Sequence, residues 1–245
     1  MAKLIKKETS MATFECYSER GILSYFMFRF LPHSQNIYWF LSRLHFPKET
    51  PVVLPTSGVE NLTIFSELSF GQEGFGLPDG AIYFEHEGKA SMIFLEGKTN
   101  ETYAKSCKGK SFNSTIKGQL ELRWRMVSLY KSHYSEAVSF KKGIDYLQEI
   151  GSYVDHYSHR DPYYGKPRRD PRRVRLIEGV KKVFNYIDKC PMNRILFLII
   201  SRDKEHPFNC IPEDLLPDCF DEKPEVAKHS FCWMDARDLE ECAPV

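Results

Sequence analysis

The chain has 245 residues, of which 42% are hydrophobic and 14% aromatic, so it can bury a full core and falls in the size range of one domain. Its 34 basic and 33 acidic side chains nearly cancel, which excludes a strong overall electrostatic field. Attraction to an anionic partner therefore has to come from local clusters.

The 7 scattered cysteines are typical of a reducing compartment rather than of a disulfide framework. The longest apolar run, residues 195–200, is too short to span a bilayer, and no signal-like segment opens the chain. We therefore expect a soluble, cytoplasmic protein that does not bind membranes.

The first part of the chain predicts helices followed by a strand. Residues 18–39 are dense in Phe, Tyr, Leu and Ile, and they predict one or two buried helices interrupted at Pro32. β-forming residues at 59–69 predict a strand that ends in a glycine-rich segment at 71–76. We expect the helices to pack over a sheet that contains this strand.

The next stretch predicts a β-hairpin. Residues Ala81–His86 and Ser91–Lys98 have the composition of two strands. A glycine at the first central position favours a two-residue type II′ turn at Gly88 and Lys89. A four-residue loop would give the same pairing of the strands.

The predicted register places Asp79 opposite Lys98. Two residues further along, it places Ala81 opposite Glu96. Paired residues project to the same side of a sheet and side chains alternate along each strand, so Asp79, Glu96 and Lys98 are expected on one face. Glu96 follows the apolar run 92–95, where a charge is expected only if it is paired or bound to a metal ion.

A helix is predicted after the hairpin. Ser114 or Thr115 can cap it, and its helical spacing of apolar residues continues to about residue 132. Gln119 and Arg123 interrupt the apolar stripe of this helix.

The rest of the chain predicts two more helices and two strands. A helical pattern at 136–150 precedes a basic loop at 156–169, and an Asp-Pro pair at 170–171 starts the next helix. The continuous apolar run at 194–201 is typical of a strand covered on both faces. One further short strand is predicted at 229–234.

Asp79 and Glu96 on one face suggest a site for a hard divalent cation. Mg²⁺ prefers oxygen ligands and keeps several waters, so two carboxylates and a substrate phosphate complete its shell. Gly97 would leave its carbonyl open to the metal ion. Lys98 would orient the attacking water and offset negative charge on the phosphate. This set of residues predicts phosphodiester hydrolysis that depends on Mg²⁺ or Mn²⁺.

Pro78-Asp79, sixteen intervening residues and then Glu96-Gly97-Lys98 resemble the defining motif of the PD-(D/E)XK nuclease superfamily. Gln119-Leu120 is similar to the helical Gln motif of its RecB-like and lambda-exonuclease-like branch. The resemblance implies an α/β, restriction-endonuclease-like core, in which a mixed central β-sheet is flanked by helices in the order αβββαβ. It covers most of the chain, although its specific part is only about forty residues long.

The resemblance also implies roles for individual residues. Asp79, Glu96, Lys98 and Gln119 would be catalytic, with Asp79, Glu96 and Gly97 as metal ligands. Family members often add a glutamate from the first helix, for which Glu19 is our candidate, while Glu15 and Glu67 remain alternatives. Arginines are expected to contact the nucleic-acid backbone, although a solvated basic loop is the competing interpretation; they are Arg123, Arg125, Arg168, Arg169 and Arg172.

We expect one nuclease-like domain over residues 1–245. Its predicted parts are N-terminal helices at about 12–45, a catalytic core at about 59–133 plus 170–203, an insertion at about 134–169 and a C-terminal extension at 204–245. The expected activity is that of a Mg²⁺-dependent nuclease acting on DNA, with an endonuclease preferred to an exonuclease. An RNA substrate, a non-catalytic module that binds nucleic acid or protein, and a homodimer or larger complex stay open.

Overall fold

A computed structural model describes residues 23, 26–27, 34–47, 54–66, 78–108, 115–134, 183–217, 219–222 and 229–241. The glycine-rich segment, the predicted helix at 136–150 and the basic loop at 156–169 lie outside these ranges. Within the described residues, no helix combines the length and the apolar character that crossing a bilayer requires.

Five strands form one mixed sheet in the order β1-β2-β3-β4-β5. The first three strands pair antiparallel, whereas β4 pairs parallel to β3 and β5 pairs parallel to β4. The predicted strands are confirmed, and the short strand predicted near the end of the chain extends the sheet on the side of β4. Their bounds are β1 (Val59–Ser66), β2 (Gly80–His86), β3 (Lys89–Lys98), β4 (Ile195–Ser201) and β5 (Phe231–Asp235).

Helices flank this sheet, so the predicted α/β class is confirmed. Residues 183–189 are helical, as expected for the helix that leads into β4. Short 3₁₀ turns lie at Met192–Arg194, Pro207–Asn209 and Glu213–Leu215. The α-helices are α1 (Ser34–Ser42), α2 (Tyr103–Ser106), α3 (Ile116–Tyr134), α4 (Cys219–Glu222) and α5 (Asp238–Glu241).

The start of α3 follows from a local hydrogen bond. Thr115 Oγ1 accepts a hydrogen bond from the Gly118 N–H at 3.0 Å, which satisfies one of the amides that the first turn of a helix leaves without a partner. Of the two predicted capping residues, Thr115 therefore caps the helix, while Ser114 lies outside the described residues.

The two faces of the sheet have separate apolar cores. On one face, Phe94 and Phe197 belong to the same core as Leu120 and Val127 of α3. On the other face, Ile93 and Leu198 pack in a core with the residues that precede β1 in the chain, among them Leu23, Phe26, Ile37 and Phe40. Burying each large apolar side chain contributes roughly 1.5–3 kcal/mol relative to exposure, so the sheet is held between two layers.

Helix α3 is buried around most of its circumference. Its consecutive residues Glu121, Leu122, Arg123 and Trp124 are all at most 3% exposed. The sheet covers one side of the helix. The C-terminal extension covers another, where the Lys117 ammonium donates to the Asp214 carbonyl at 2.9 Å. The charged side chains of Glu121 and Arg123 therefore lie in the protein interior and need partners there.

The hairpin register differs from the predicted one by two residues. Ala81 pairs with Phe94 rather than with Glu96. The turn residues are Glu87 and Gly88, at φ values of 51° and 69°. Positive φ at both positions is typical of a type I′ turn. The prediction was wrong because it allowed the left-handed conformation only at the glycine. Since side chains alternate with a period of two, a shift of two residues leaves each side chain on its predicted face.

Candidate metal centre

Glu96 lies close to the carboxyl end of β3, on the face of the sheet that α3 covers. Its side chain is 1% exposed. Burial raises the pKa of Glu96, the Arg123 charge opposes this, the Asp79 charge raises the pKa further and the Lys98 charge lowers it. The four charged groups therefore influence one another electrostatically. We call Asp79, Glu96, Lys98 and Arg123 the charged cluster.

Asp79 directly precedes β2 and is fixed to β3 by two hydrogen bonds. Its Oδ2 accepts from the Gly97 N–H at 2.9 Å, and its own N–H donates to the Leu95 carbonyl at 3.2 Å. These contacts place Asp79 beside the segment that carries Glu96, whereas the predicted register had placed it opposite Lys98. Asp79 and Glu96 thus lie on neighbouring strands through a different pairing from the predicted one, and whether their carboxylates share a cation stays a prediction.

Gly97 separates Glu96 from Lys98 and faces the opposite side of the sheet. A Cβ at this position would lie 2.6 Å from Leu23 Cδ1, so glycine is the residue that lets Leu23 pack directly on the β3 backbone. The Gly97 carbonyl, predicted as a metal ligand, accepts a hydrogen bond from Lys98 Nζ at 3.0 Å. A cation that used this carbonyl would compete with the Lys98 ammonium.

Arg123 forms an ion pair with Glu96 in the interior. The distance from Arg123 Nη2 to Glu96 Oε1 is 3.0 Å, and both side chains are 1% exposed. The contact is at ion-pair distance but lacks the geometry of a directed hydrogen bond. Both Glu96 oxygens, together with Arg123 Nε and Nη1, have no hydrogen-bond partner within the described residues. Buried polar atoms usually have partners, so this pair has unmet capacity.

Gln119 lies one helical turn before Arg123, on the same face of α3. Its Oε1 is buried and has no hydrogen-bond partner among the described residues. The apolar stripe of α3 is therefore interrupted by two polar side chains on the side where the helix meets the charged cluster. Whether Gln119 contacts a reacting group stays a prediction.

The arginines that were predicted to contact nucleic acid do not lie together in the described residues. Arg123 is buried against Glu96, so a contact with a nucleic-acid backbone would require it to leave that position. Arg125 pairs with Glu121, and its side chain is 33% exposed. The second Glu121 oxygen accepts from the Cys219 N–H at 3.2 Å, which ties the start of α4 to α3. Residues predicted from the sequence that lie outside the described ranges are Glu15, Glu19, Glu67, Arg168, Arg169 and Arg172.

Sequence reasoning missed two ion pairs on α3. Glu121 and Arg125 have i,i+4 spacing, so their pairing on one helix could have been found from the sequence. The pairing of Arg123 with Glu96 had no such local signal, because it depends on how α3 packs on β3.

The residues present fit one hard divalent cation. Within the described ranges, no group of three or more His, Cys, Asp or Glu side chains is arranged to hold a metal ion. Mg²⁺ does not need such a group, because one or two carboxylates complete its shell together with waters and a substrate phosphate. Asp79 and Glu96 would provide the two carboxylates. The unpartnered oxygens of Glu96 and Gln119 are acceptors that a cation and its waters would satisfy.

The chain matches no protein-family model. No curated protein and no solved structure matches it either. The resemblance to PD-(D/E)XK nucleases therefore depends on the motif at residues 78–98 and on Gln119, and membership of that superfamily stays a prediction.

Proposed function

We propose that the protein is a Mg²⁺-dependent nuclease that hydrolyses phosphodiester bonds in DNA, and that it acts as an endonuclease. The observation that carries the proposal is the buried Glu96 carboxylate, which forms an ion pair with Arg123 through Oε1 while its Oε2 has no hydrogen-bond partner in the described residues, although the charges of Asp79 and Lys98 also act on it. Such an arrangement is costly for an apo protein. It is expected where a ligand completes the site.

The arrangement of the elements supports the same proposal. Three antiparallel strands, β1, β2 and β3, are followed by α3 and then by β4, which pairs parallel to β3. This is the order of strands, helix and strand that the resemblance implies for a restriction-endonuclease-like core. Asp79 directly before β2 and Glu96 near the end of β3 are compatible with the positions of the two acids in the motif, which supports the proposal.

Each residue of the site has a proposed task. Asp79 and Glu96 hold the cation, which, when bound, neutralises phosphate charge and makes water a stronger acid. Lys98 places an ammonium near the phosphate and offsets the charge that develops during the reaction. Gln119 accepts a hydrogen bond from the attacking water through Oε1 and so orients it. Water adds to phosphorus, the ester P–O bond breaks, and the leaving oxygen takes a proton to give an alcohol and a phosphomonoester.

The proposal is tested by incubating the protein with plasmid, linear duplex DNA, single-stranded DNA and RNA in Mg²⁺ or Mn²⁺. We expect nicking or linearisation of the plasmid. Asp79→Asn, Glu96→Gln and Lys98→Met should each reduce the rate by about a thousandfold or more, since the first two remove a charged ligand of the cation and the third removes the ammonium beside the phosphate. Lys89→Met is the matched control, because Lys89 is an exposed lysine at the other end of β3. Equal cleavage by all of these proteins would mean that this site does not catalyse the reaction.

A second candidate function is a non-catalytic module that binds nucleic acid or protein. The observation that favours it is the Arg123–Glu96 ion pair, which already offsets the charge of one proposed metal ligand. A gel-shift assay separates the two functions when it is run beside the cleavage assay. Binding without cleavage in either metal ion would favour the module. Cleavage of RNA but not DNA would retain the chemistry and change the substrate.

A further inference from the structure

With all four side chains ionised, the charged cluster carries no net charge before any cation binds; burial raises the pKa of Glu96 to about 8, so this balance is reached at mildly alkaline pH. Among the described residues, its acids are Asp79 and Glu96, and its bases are Lys98 and Arg123. Sites that hold two divalent ions about 3.5–4 Å apart have carboxylates that bridge and surround both ions. Here one of the two carboxylates contacts a guanidinium instead.

Arg123 is held in this place by the fold. Its neighbours Leu122 and Trp124 on α3 are buried in the core between the helix and the sheet, and Arg123 itself is 1% exposed. The guanidinium therefore cannot turn to solvent unless α3 repacks. Its Nη2 lies 3.0 Å from Glu96 Oε1, close to where a second cation would have to lie in order to share Glu96. Its Nε and Nη1 are buried and have no hydrogen-bond partner in the described residues.

We propose that Arg123 takes the electrostatic place of a second divalent cation, so that the site binds one Mg²⁺ or Mn²⁺ ion per chain. The inference rests on the proposed nuclease function and goes beyond it by assigning the number of ions and the role of Arg123. Arg123 acts through Glu96 and the cation, which makes it a positioning residue.

The charges explain why one ion is sufficient. Because the acids and bases of the cluster cancel, one divalent cation leaves an excess of two positive charges. Hydrolysis of a phosphodiester combines one negative charge on the substrate with a second from the deprotonated nucleophile, so this excess balances the charge of the transition state. A second divalent ion would lie against a fixed guanidinium, and at an effective dielectric constant of about 20 their repulsion is many times the thermal energy.

The first test is the stoichiometry of Mn²⁺ binding to the wild-type chain. Titration calorimetry is expected to give one ion per chain, and the electron paramagnetic resonance spectrum of the loaded protein is expected to be that of an isolated Mn²⁺. Two ions per chain with a spin-coupled spectrum would overturn the inference and leave the nuclease proposal intact. If no ion binds, or if Asp79→Asn binds Mn²⁺ as the wild type does, the metal site itself is wrong, and both proposals fail.

The second test removes the Arg123 guanidinium by substitution. Arg123→Met is expected to bind Mn²⁺ about tenfold or more tightly than the wild type, because a positive charge next to the ion is lost. The titration is run at mildly alkaline pH, where protonation of Glu96 competes least. Arg125→Met is the matched control, since it breaks an ion pair with the buried Glu121 on the same helix; its Mn²⁺ affinity should equal that of the wild type. If Arg123→Met fails to fold, Arg123→Gln gives the same comparison. An affinity equal to that of the control, or weaker, would overturn the inference.

Discussion

Two polar regions lie near the carboxyl ends of neighbouring parallel strands, and they differ in how well their atoms are satisfied. Lys98 in the charged cluster is the register partner of Ser201 on β4. Ser201 Oγ donates to Asp203 Oδ2 at 2.6 Å and accepts from Trp233 Nε1 at 3.0 Å. Asp203 Oδ2 also accepts from the Tyr103 N–H at 2.9 Å. We call these four residues, Ser201, Asp203, Trp233 and Tyr103, the serine network.

The comparison separates two uses of buried polar groups. In the serine network the side chains satisfy one another and a backbone amide, so the network joins β4, β5 and the start of α2. In the charged cluster, Glu96 and Arg123 have atoms with no hydrogen-bond partner in the described residues. Satisfied networks stabilise a fold, whereas unsatisfied buried groups reduce stability unless a ligand completes them. The first region should therefore control stability and the second should control binding.

The largest effect on stability is expected from breaking the serine network. Asp203→Ala leaves the Ser201 hydroxyl and the Tyr103 amide without their acceptor, and should lower the free energy of unfolding by about 3 kcal/mol. Asp235→Ala is the control. It removes an exposed ion pair with Arg237 and should cost at most about 1 kcal/mol. Urea unfolding measures both values.

The folded fraction of Asp203→Ala should still cleave nucleic acid. If this variant is stable but inactive, the serine network takes part in function, and the distinction between the two regions does not hold.

A divalent cation bound at the charged cluster should raise the free energy of unfolding of the protein. Mg²⁺ or Mn²⁺ at a concentration of 100 times its dissociation constant should raise the free energy of unfolding by about 2.7 kcal/mol. Asp79→Asn should lose this increase, because it removes a carboxylate from the cation site. The ion-dependent increase is measured by thermal or urea unfolding with and without the metal ion. An increase of equal size in Asp79→Asn would locate the ion at another site.

The sheet and the shared face of the site could be predicted from the sequence because both depend on local patterns. Alternation along a strand has a period of two, so a prediction that misplaced the hairpin register by two residues still put Asp79 and Glu96 on the same face. The capping of α3 by Thr115 and the burial of β4 are equally local signals.

The Arg123–Glu96 pair could not be predicted from the sequence. The two residues belong to different elements, and their contact depends on the rotation and translation of α3 relative to β3. The sequence indicated only that polar residues interrupt an apolar stripe, which is equally consistent with a nucleic-acid contact, the role predicted for Arg123. Burial of the guanidinium is a result of tertiary packing.

Gly97, next to Glu96 in β3, tests how tightly Leu23 packs on the opposite face of the sheet. Gly97→Ala puts a methyl group 2.6 Å from Leu23 Cδ1, and such overpacking should cost about 2 kcal/mol. In a Leu23→Ala background the space is available, so the same substitution should cost less than about 0.5 kcal/mol. Urea unfolding of the wild type, both single variants and the double variant gives the coupling. Equal costs in both backgrounds would show that Leu23 does not limit this position.

His206 is the exception near the serine network, and at neutral pH its substitution should change stability least. It is buried, and its ring centroid lies 6.4 Å from that of Trp233. Its Nδ1 accepts from the Phe208 N–H at 3.2 Å, while its Nε2 makes no well-formed hydrogen bond in the described residues. A rule that every unsatisfied polar atom marks a ligand site would make His206 functional. We expect instead that His206 stays neutral, because apolar rings surround it.

Burial, together with the nearby His45, lowers the pKa of His206 from 6.5 to about 3. The unfolded chain binds a proton below about pH 6.5 that the folded chain does not bind. His206 therefore contributes stability at neutral pH that is lost as the pH falls from 6.5 towards 3, by roughly 1.4 kcal/mol per pH unit. His206→Gln should remove this dependence, so that the wild type and the variant converge in stability on acidification. His86→Gln, at a partly exposed histidine, should keep the wild-type slope. Cleavage by folded His206→Gln should persist. A loss of cleavage would mean that the unsatisfied Nε2 has a role beyond packing. Parallel stability profiles of this variant and the wild type would mean the same.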